Sequence, residues 1–167
     1  MFAVRRVAYN FPMRLVLNSP DIPQNTGTML RLAACLGVPV DLVFPLGFLW
    51  SDARLRRAGL DYIGQAQLIR HDSWAAFLRD RPPGRLVLLT TAGSPYADFR
   101  FAPDDQLIVG SESSGAPAEV HAAADARLSI PMMSGTRSLN VAVAAAMVLG
   151  EAVRQTALWP QRLPVAS

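Results

Sequence analysis

The feature that most constrains the fold is a regular alternation of short, largely apolar runs with longer helical patterns. The apolar runs predict strands at residues 13–17, 38–44, 66–69, 86–89, 107–109 and 127–130. The helical patterns lie between and after them, at residues 26–36, 51–58, 72–79, 117–123 and 139–155. Strands that are apolar on both sides are typical of a parallel sheet covered on both faces. The sequence therefore predicts an α/β fold, an open and mostly parallel sheet with helices on both faces.

Length and composition favour one globular domain. The chain has 167 residues, of which 51% are hydrophobic, enough to build a sizeable core. We expect a single domain over residues 13–156, an N-terminal extension at residues 1–12 and a C-terminal tail at residues 157–167. The single cysteine, Cys35, fits a reducing compartment. Residues 1–12 lack a signal-peptide pattern, and the longest apolar run, residues 141–149, is half of the ~18 residues that span a membrane. A cytoplasmic protein without a membrane segment is expected.

The charge balance leaves two interpretations open. The 16 basic residues outnumber 13 acidic ones, and every basic residue is arginine. A net charge of +3 by itself says little about partners. The absence of lysine reflects either coding bias or a need for planar, bidentate phosphate recognition.

Small, polar, glycine and proline residues concentrate in four loops that follow predicted strands. These loops are residues 18–25, 90–96, 110–117 and 131–138. In open parallel sheets, ligands bind outside the carboxyl ends of the strands. We therefore expect the functional site among these four loops.

The first segment places a single arginine on an otherwise apolar helix. Asn25 is predicted to cap this helix, and Gly27 allows close approach to its first turn. At about 100° per residue, Arg31 falls on a narrow stripe with Gly27, Thr28 and Cys35. A guanidinium there is costly to desolvate unless it meets an anion. Arg31 is therefore either a salt-bridged or surface residue, or a phosphate or catalytic contact.

The second segment is the glycine-bounded loop 110–117. It lacks the G-x-S-x-G pattern of a hydrolase, because Glu112 stands where the serine would be. The two histidines, His71 and His121, both lie in positions typical of surface histidines. These observations disfavour a Ser–His–Asp hydrolase and favour a backbone-lined cofactor loop with one acid, Glu112.

The third segment, residues 130–140, runs from a strand through a loop into a helix. Ser138 is predicted to cap this helix, with Asn140 in its first turn. The polar groups of Arg137, Ser138 and Asn140 gather at a helix N-terminus, which suits a carboxylate or a phosphate. The helix is apolar all round over residues 141–149, which predicts a buried core helix or a subunit interface. No Walker A lysine and no G-x-G-x-x-G pattern is present, so ordinary nucleotide-binding folds are disfavoured.

Taken together, these segments resemble the SPOUT superfamily of RNA methyltransferases, in its ribose 2′-O-methylating branch. The matching patterns are Pro-x-Asn-x-Gly-x-x-x-Arg (residues 23–31), Gly-x-Glu-x-x-Gly-x-Pro (110–117) and Ile-Pro-Met…Ser-x-Asn (130–140). A fourth stretch, residues 47–62, is similar to the minimal tRNA enzymes that methylate the wobble cytidine or uridine. The resemblance extends over about residues 13–155.

This resemblance implies a trefoil-knotted C-terminal half, a homodimer, S-adenosylmethionine as cofactor without a metal, and tRNA as substrate. The implied catalytic residues are Asn25, Arg31, Glu112, Ser138 and Asn140. The implied cofactor-binding residues are Leu89, Thr90, Gly110, Ile130, Met132 and Ser138. Arg31 is expected to face the cofactor bound mainly by the partner subunit.

The substrate is less closely defined by the resemblance. Close relatives tend to have arginine and leucine where this chain has Ser114 and Ala116, so an RNA contact is lost if that arginine touches RNA. Arg54, Arg56 and Arg57 are candidate RNA-binding residues, or form a solvated helix face. A ribosomal-RNA 2′-O-methyltransferase of the same fold and a catalytically inactive, knotted RNA-binding protein remain alternatives.

Overall fold

The computed structural model describes residues 12–53 and 66–160 of the chain. Six parallel strands form one sheet in the order β3-β2-β1-β5-β4-β6. The strands are β1 (Arg14–Asn18), β2 (Val40–Val43), β3 (Leu68–His71), β4 (Leu86–Pro95), β5 (Gln106–Val109) and β6 (Ala126–Ser129). The helices are α1 (Pro23–Leu36), α2 (Trp74–Asp80), α3 (Ala118–Ala123) and α4 (Val141–Thr156), with a short 3₁₀ turn at Tyr96–Asp98. The predicted parallel α/β sheet is confirmed.

Parts of the predictions lie outside the described residues. Of the helix predicted at residues 51–58, only residues 51–53 are described. The N-terminal extension, most of the C-terminal tail and Arg54, Arg56 and Arg57 also lie outside. Among the residues that the structure does describe, no helix has the length and apolarity needed to cross a membrane.

The sheet is covered on both faces because its central strands are apolar on both sides. On one face, Leu17 of β1 and Leu42 of β2 pack with residues of α1 and α4. On the other face, Val16 of β1 packs with Phe77 of α2 and Val120 of α3. Each of these five side chains is buried. Burial of both faces explains why the strands read as nearly continuous apolar runs.

Helix α1 begins earlier than predicted, so Asn25 is not its N-cap. Ile22 occupies the cap position without a side-chain hydrogen bond, and Pro23 begins the helix. Proline suits this position because it has no N–H and its φ is preset for a helix. The helix ends at Gly37, whose left-handed conformation (φ 71°) lets its N–H bond the carbonyls of Ala33 and Ala34. Asn25 therefore lies in the first turn of α1.

Helix α4 is capped by Asn140, so the predicted Ser138 cap is wrong. The Asn140 side chain accepts hydrogen bonds from the backbone N–H groups of Ala142 and Val143. Ser138 lies two residues upstream in an exposed loop. Helix α4 is not a core helix on all sides, because Val143 is 49% and Met147 40% exposed, which leaves the alternative of a subunit interface.

A buried ionic cluster links β1, β2 and β3. Arg14 donates to both carboxylate oxygens of Asp41, from Nε at 2.5 Å and from Nη2 at 2.9 Å. His71 Nε2 lies 2.7 Å from Asp41 Oδ1. Burial favours the neutral form of Asp41, but hydrogen bonds from His71 and Arg14 outweigh it and lower the pKa of Asp41. The prediction of a surface position for His71 is wrong, because the end of β3 turns this side chain onto the buried Asp41.

Candidate functional site

The four predicted loops meet around one cleft at the carboxyl ends of β4, β5 and β6. The cleft has a volume of about 670 Å³, within the range of small-molecule sites. Loop 18–25 contributes Ile22 and Asn25, and the N-terminus of α4 closes one side with Asn140 and Val141. The position follows the rule for open parallel sheets.

Most of the sequence-predicted site residues line this cleft. They are Asn25, Leu89, Thr90, Gly110, Glu112, Ile130, Met132, Ser138 and Asn140. Arg31 does not line the cleft: it is exposed on α1, six residues beyond Asn25, which corresponds to a rise of about 9 Å along the helix. Sequence analysis missed Thr91, His121 and Leu139, which also line the cleft. Their positions next to predicted site loops were the available signal.

The middle loop is closed on itself by backbone contacts. Ser111 N–H donates to the Gly115 carbonyl at 3.2 Å, and Gly115 N–H returns a bond to the Ser111 carbonyl at 2.9 Å. Gly115 has a positive φ of 70°, and a Cβ at Gly110 would lie 2.3 Å from the backbone nitrogen of Ala116. The hydroxyls of Ser111 and Ser114 are 2.7 Å apart. Gly110 and Gly115 therefore allow the loop that carries Glu112 to close.

Glu112 is joined to the first loop by a reciprocal pair of hydrogen bonds with Asp21. Asp21 N–H donates to Glu112 Oε2 at 2.9 Å, and Glu112 N–H donates to Asp21 Oδ1 at 2.9 Å. Ser113 also donates to Asp21, from its N–H and from its hydroxyl. Asp21 was not among the sequence-predicted site residues, because its partner lies 91 residues away in the chain.

The two carboxyl groups have pKa values shifted in opposite directions. The contact with the Glu112 side chain, followed by the bond from Ser113, lowers the pKa of Asp21 from 3.8 to about 2. Burial, followed by the contact with the Asp21 side chain, raises the pKa of Glu112 above its usual 4.5. When the pair holds one proton, the proton therefore resides on Glu112.

A buried acceptor on Glu112 has no hydrogen-bond partner within the described residues. This atom, Oε1, is inaccessible to solvent. Asn25 is close enough to favour the ionised form of Glu112 without completing such a bond. A buried acceptor that is unsatisfied by the protein costs free energy, so a ligand that brings an O–H or N–H donor to Glu112 would be favoured.

Asn25 and Asn140 connect the first and third segments. Asn140 Nδ2 donates to Asn25 Oδ1 at 2.9 Å. The orientation of the Asn140 amide follows from its capping role, since Oδ1 accepts from Ala142 and Val143 at the start of α4. All three motif segments therefore meet at this cleft, through the Asp21–Glu112 and Asn25–Asn140 contacts.

Two further features shape the walls of the cleft. Gly47 packs against Asp21, and a Cβ at this position would lie 2.3 Å from the Asp21 Cβ. In β4, both Leu89 and Ser94 pair with Leu128 of β6, so residues 90–93 loop out of the strand ladder. Thr90 lies in this loop and lines the cleft. Gly47 therefore packs behind Asp21. Residues 90–93 bring polar groups to an otherwise apolar wall of the cleft.

The fold and the cleft define a class: an open parallel α/β protein with a cleft of small-molecule size at the carboxyl edge of its sheet. The chain belongs to the SpoU rRNA methylase family, whose family model matches residues 12–150. Membership confirms the methyltransferase family inferred from the three motifs.

Individual relatives match over most of the chain. It is 59% identical over 144 residues to tRNA (cytidine(34)-2′-O)-methyltransferase of Beijerinckia indica, which covers 84% of this chain and 90% of that protein. It is also similar to a solved structure that concerns 2′-OH methylation of C/U34 on tRNA, with a TM-score of 0.81 and 46% sequence identity. The match covers 87% of this chain and 96% of the other. An AdoMet-bound rRNA methyltransferase from Sinorhizobium meliloti has a TM-score of 0.78 and 26% identity, over 89% of this chain and 58% of that one.

Proposed function

We propose that this protein transfers a methyl group from S-adenosylmethionine to the ribose 2′-hydroxyl of the wobble nucleotide of tRNA, a cytidine or modified uridine. The observation that carries the proposal is the convergence of the three motif segments at one cleft, through Asp21–Glu112 and Asn25–Asn140. The relative from Beijerinckia indica, named for methylation of cytidine 34, supports the choice of tRNA and of its wobble position.

The cleft fits S-adenosylmethionine in its mixture of surfaces. Apolar side chains that suit an adenine ring line one part: Leu89, Val109, Leu128, Ile130 and Val141. Polar groups that suit ribose hydroxyls and the amino-acid end line another: Thr90, Ser111, Glu112, Ser138 and Asn140. The open Oε1 acceptor of Glu112 matches a ligand rich in O–H and N–H donors. We assign cofactor binding to Leu89, Thr90, Gly110, Ile130, Met132 and Ser138.

The cofactor supplies a methyl group on a positively charged sulfur, so the protein's main contribution is to align the attacking ribose oxygen. Asn140 is fixed by its capping bonds and in turn holds Asn25, which gives the cleft a rigid polar wall. Glu112 is held by Asp21 and offers an acceptor to a bound donor. In this proposal these residues, with Ser138, bind and orient the reacting groups.

Arg31 is proposed to grip the phosphate of the target nucleotide and to stabilise the negative charge that develops on its ribose oxygen. A guanidinium, with a pKa above ~12, is poorly suited to act as the base. Since Arg31 is exposed and lies outside the cleft of its own subunit, we propose that it serves the cleft of a partner subunit in a homodimer. The exposed Val143 and Met147 on α4 are candidates for the dimer interface.

Two structural elements of the family complete the proposal. The C-terminal half is proposed to form the trefoil knot that membership of the family implies. Arg54, Arg56 and Arg57 are proposed to bind RNA. Reversing their charges is expected to weaken tRNA binding and its salt dependence while sparing cofactor affinity.

Calorimetry and label transfer test this function. The protein is expected to bind S-adenosylmethionine and to transfer its labelled methyl group to total tRNA but not to ribosomal RNA. Transfer to ribosomal RNA alone would favour the ribosomal alternative. Absence of cofactor binding would favour an inactive RNA-binding protein.

A further inference from the structure

Outside the cleft, Trp50, Asp52 and Arg70 form a surface group that we call the Trp50 cluster. The guanidinium carbon of Arg70 lies 4.6 Å from the centroid of the Trp50 ring. Trp50 Nε1 donates to Asp52 Oδ1 at 2.6 Å, and Arg70 Nη2 lies 3.7 Å from the same oxygen. The cluster thus holds an arginine between an aromatic ring and a carboxylate.

Stability is a poor explanation for this arrangement. The side chains of Arg70 and Asp52 are 48% and 53% exposed, and ion pairs of this kind contribute little to folding. An arginine held against an aromatic ring loses less conformational entropy when it binds an anion. The Trp50 cluster therefore has the properties of a prepared anion contact.

The sheet places the cluster on the same edge as the cleft. Arg70 pairs with Leu42, Leu42 with Leu17, and Leu17 with Val109, which lines the cleft. Three strand spacings of about 4.8 Å put Arg70 about 14 Å from Val109 along this row. The segment that leads to Trp50 also contacts the site directly, because Gly47 packs against Asp21.

An RNA strand matches this surface in charge and reach. When the target ribose of an RNA strand enters the cleft, the neighbouring phosphates of that strand cross the adjoining surface. Arg70 lies on this surface, about 14 Å from Val109 in the cleft wall. Next to Trp50, Leu49 is 84% exposed and offers an apolar contact to a ribose or a base. Arginine is well shaped to bind phosphate oxygens in a bidentate manner.

We propose that Arg70, held by Trp50 and Asp52, binds a backbone phosphate of the tRNA strand that flanks the target nucleotide. This inference rests on the proposed tRNA methyltransferase function. In the free protein, Asp52 holds the Arg70 guanidinium in place. When RNA binds, the phosphate replaces Asp52 as the partner of this guanidinium.

The test compares Arg70→Gln with Arg79→Gln in the full-length protein. Arg79 is an exposed arginine on α2, which packs on the opposite face of the sheet, so the control makes the same charge change. Binding of a tRNA with a wobble cytidine is measured as a function of salt concentration. Arg70→Gln is expected to weaken binding about tenfold at low salt and to reduce the salt slope by about 0.7–0.9, whereas Arg79→Gln leaves both unchanged. Affinity for S-adenosylmethionine is expected to stay the same in both variants.

Asp52→Asn separates phosphate binding from a structural role. The variant retains an acceptor for Trp50 Nε1 but removes the competing negative charge, so tRNA binding should be unchanged or tighter. Equal losses in Asp52→Asn and Arg70→Gln, or a wild-type salt slope in Arg70→Gln, would overturn the inference. If the wild-type protein itself bound no tRNA, the proposed function would fail and this inference with it.

Discussion

Glu112 joins the middle motif segment to the first loop. Its position depends on Asp21, which exchanges two hydrogen bonds with it. Asp21 in turn is backed by Gly47, where any larger residue would collide with it. Two residues that were not predicted as site residues, Asp21 and Gly47, therefore position the carboxyl that we propose to be catalytic.

The pKa of Glu112 provides a test of this contact. In Asp21→Asn, burial still raises the pKa of Glu112, but the contribution of the Asp21 carboxyl is removed. The pKa of Glu112 should therefore fall towards its usual value of 4.5, which ¹³C NMR titration of the glutamate carboxyls can measure. Asp104→Asn, at an exposed position that does not line the cleft, is the control. An unchanged pKa in Asp21→Asn would show that the two groups do not interact as described.

Arg31 requires a planar guanidinium if it both grips phosphate and stabilises developing charge. Arg31→Lys keeps the positive charge but loses bidentate geometry, so kcat/KM for tRNA should fall about 10²-fold. Steady-state methylation kinetics measure the loss, and calorimetry should show unchanged affinity for the cofactor. Arg100→Lys, at another exposed arginine, should have wild-type kinetics. Near-wild-type activity with a flat pH profile in Arg31→Lys would eliminate any specific role for the guanidinium.

At the scale of elements, the buried cluster of Arg14, Asp41 and His71 ties together three adjacent strands. All three side chains are at least 95% buried. Replacing Asp41 would weaken the hydrogen bonds that Arg14 and His71 both make to its carboxylate in the interior of the protein. Such breaks in buried ion pairs are strongly destabilising.

Asp41→Asn is therefore expected to lower the free energy of unfolding by about 3–5 kcal/mol in urea titrations. The control Asp80→Asn breaks an exposed pair with Arg79 and should leave the free energy of unfolding nearly unchanged. An effect of Asp41→Asn as small as that of the control would mean that the cluster adds no stability.

The same cluster predicts a dependence of stability on pH. The folded pKa of Asp41 lies below its usual 3.8, so the unfolded chain binds the proton first as the pH falls. The free energy that the ionised Asp41 contributes to folding is fully present above about pH 3.8. It is lost as the pH falls through the pKa of Asp41 in the folded protein. Unfolding measured across this range should show a weaker pH dependence in Asp41→Asn than in the wild type. Identical pH dependence in the two proteins would contradict the lowered pKa.

Local sequence patterns predicted most elements but few of the contacts between them. Apolar runs located the six strands. The same patterns placed His71 on the surface, because periodicity carries no information about a partner 30 residues away. The Asp21–Glu112 pair was missed for the same reason.

The two helix caps show a second limit of prediction from sequence. Asn25 and Ser138 are both favourable cap residues, yet the helices begin at other positions. Pro23 begins α1 before Asn25 is reached, and Asn140 rather than Ser138 caps α4. The displaced residues line the cleft instead, where propensity alone could not place them.

At the scale of the whole molecule, the proposed role of Arg31 requires two subunits. Arg31 lies outside its own cleft, and α4 presents Val143 and Met147 to solvent. Val143→Glu should convert a dimer into a monomer in analytical ultracentrifugation and should abolish methylation. Leu78→Glu makes the same change at an exposed position on α2 and should leave the dimer intact. A dimeric Val143→Glu variant would place the interface elsewhere.

Mixed dimers test whether Arg31 acts across the interface. Arg31→Lys and Glu112→Gln are each expected to be nearly inactive alone. When the two are unfolded and refolded together, heterodimers contain one cleft with an intact Glu112 faced by an intact Arg31. Recovery of activity above that of either variant is expected, and no recovery would mean that both residues serve the same subunit's cleft.

The proposed activity places a methyl group on one ribose of tRNA, and locating that group tests it directly. Total tRNA is incubated with the protein and labelled S-adenosylmethionine, and the modified nucleotide is mapped by nuclease digestion and mass spectrometry. We expect a 2′-O-methyl group on cytidine or modified uridine at position 34 and at no other position. A methyl group on a base, at another position of tRNA, or only on ribosomal RNA would contradict it.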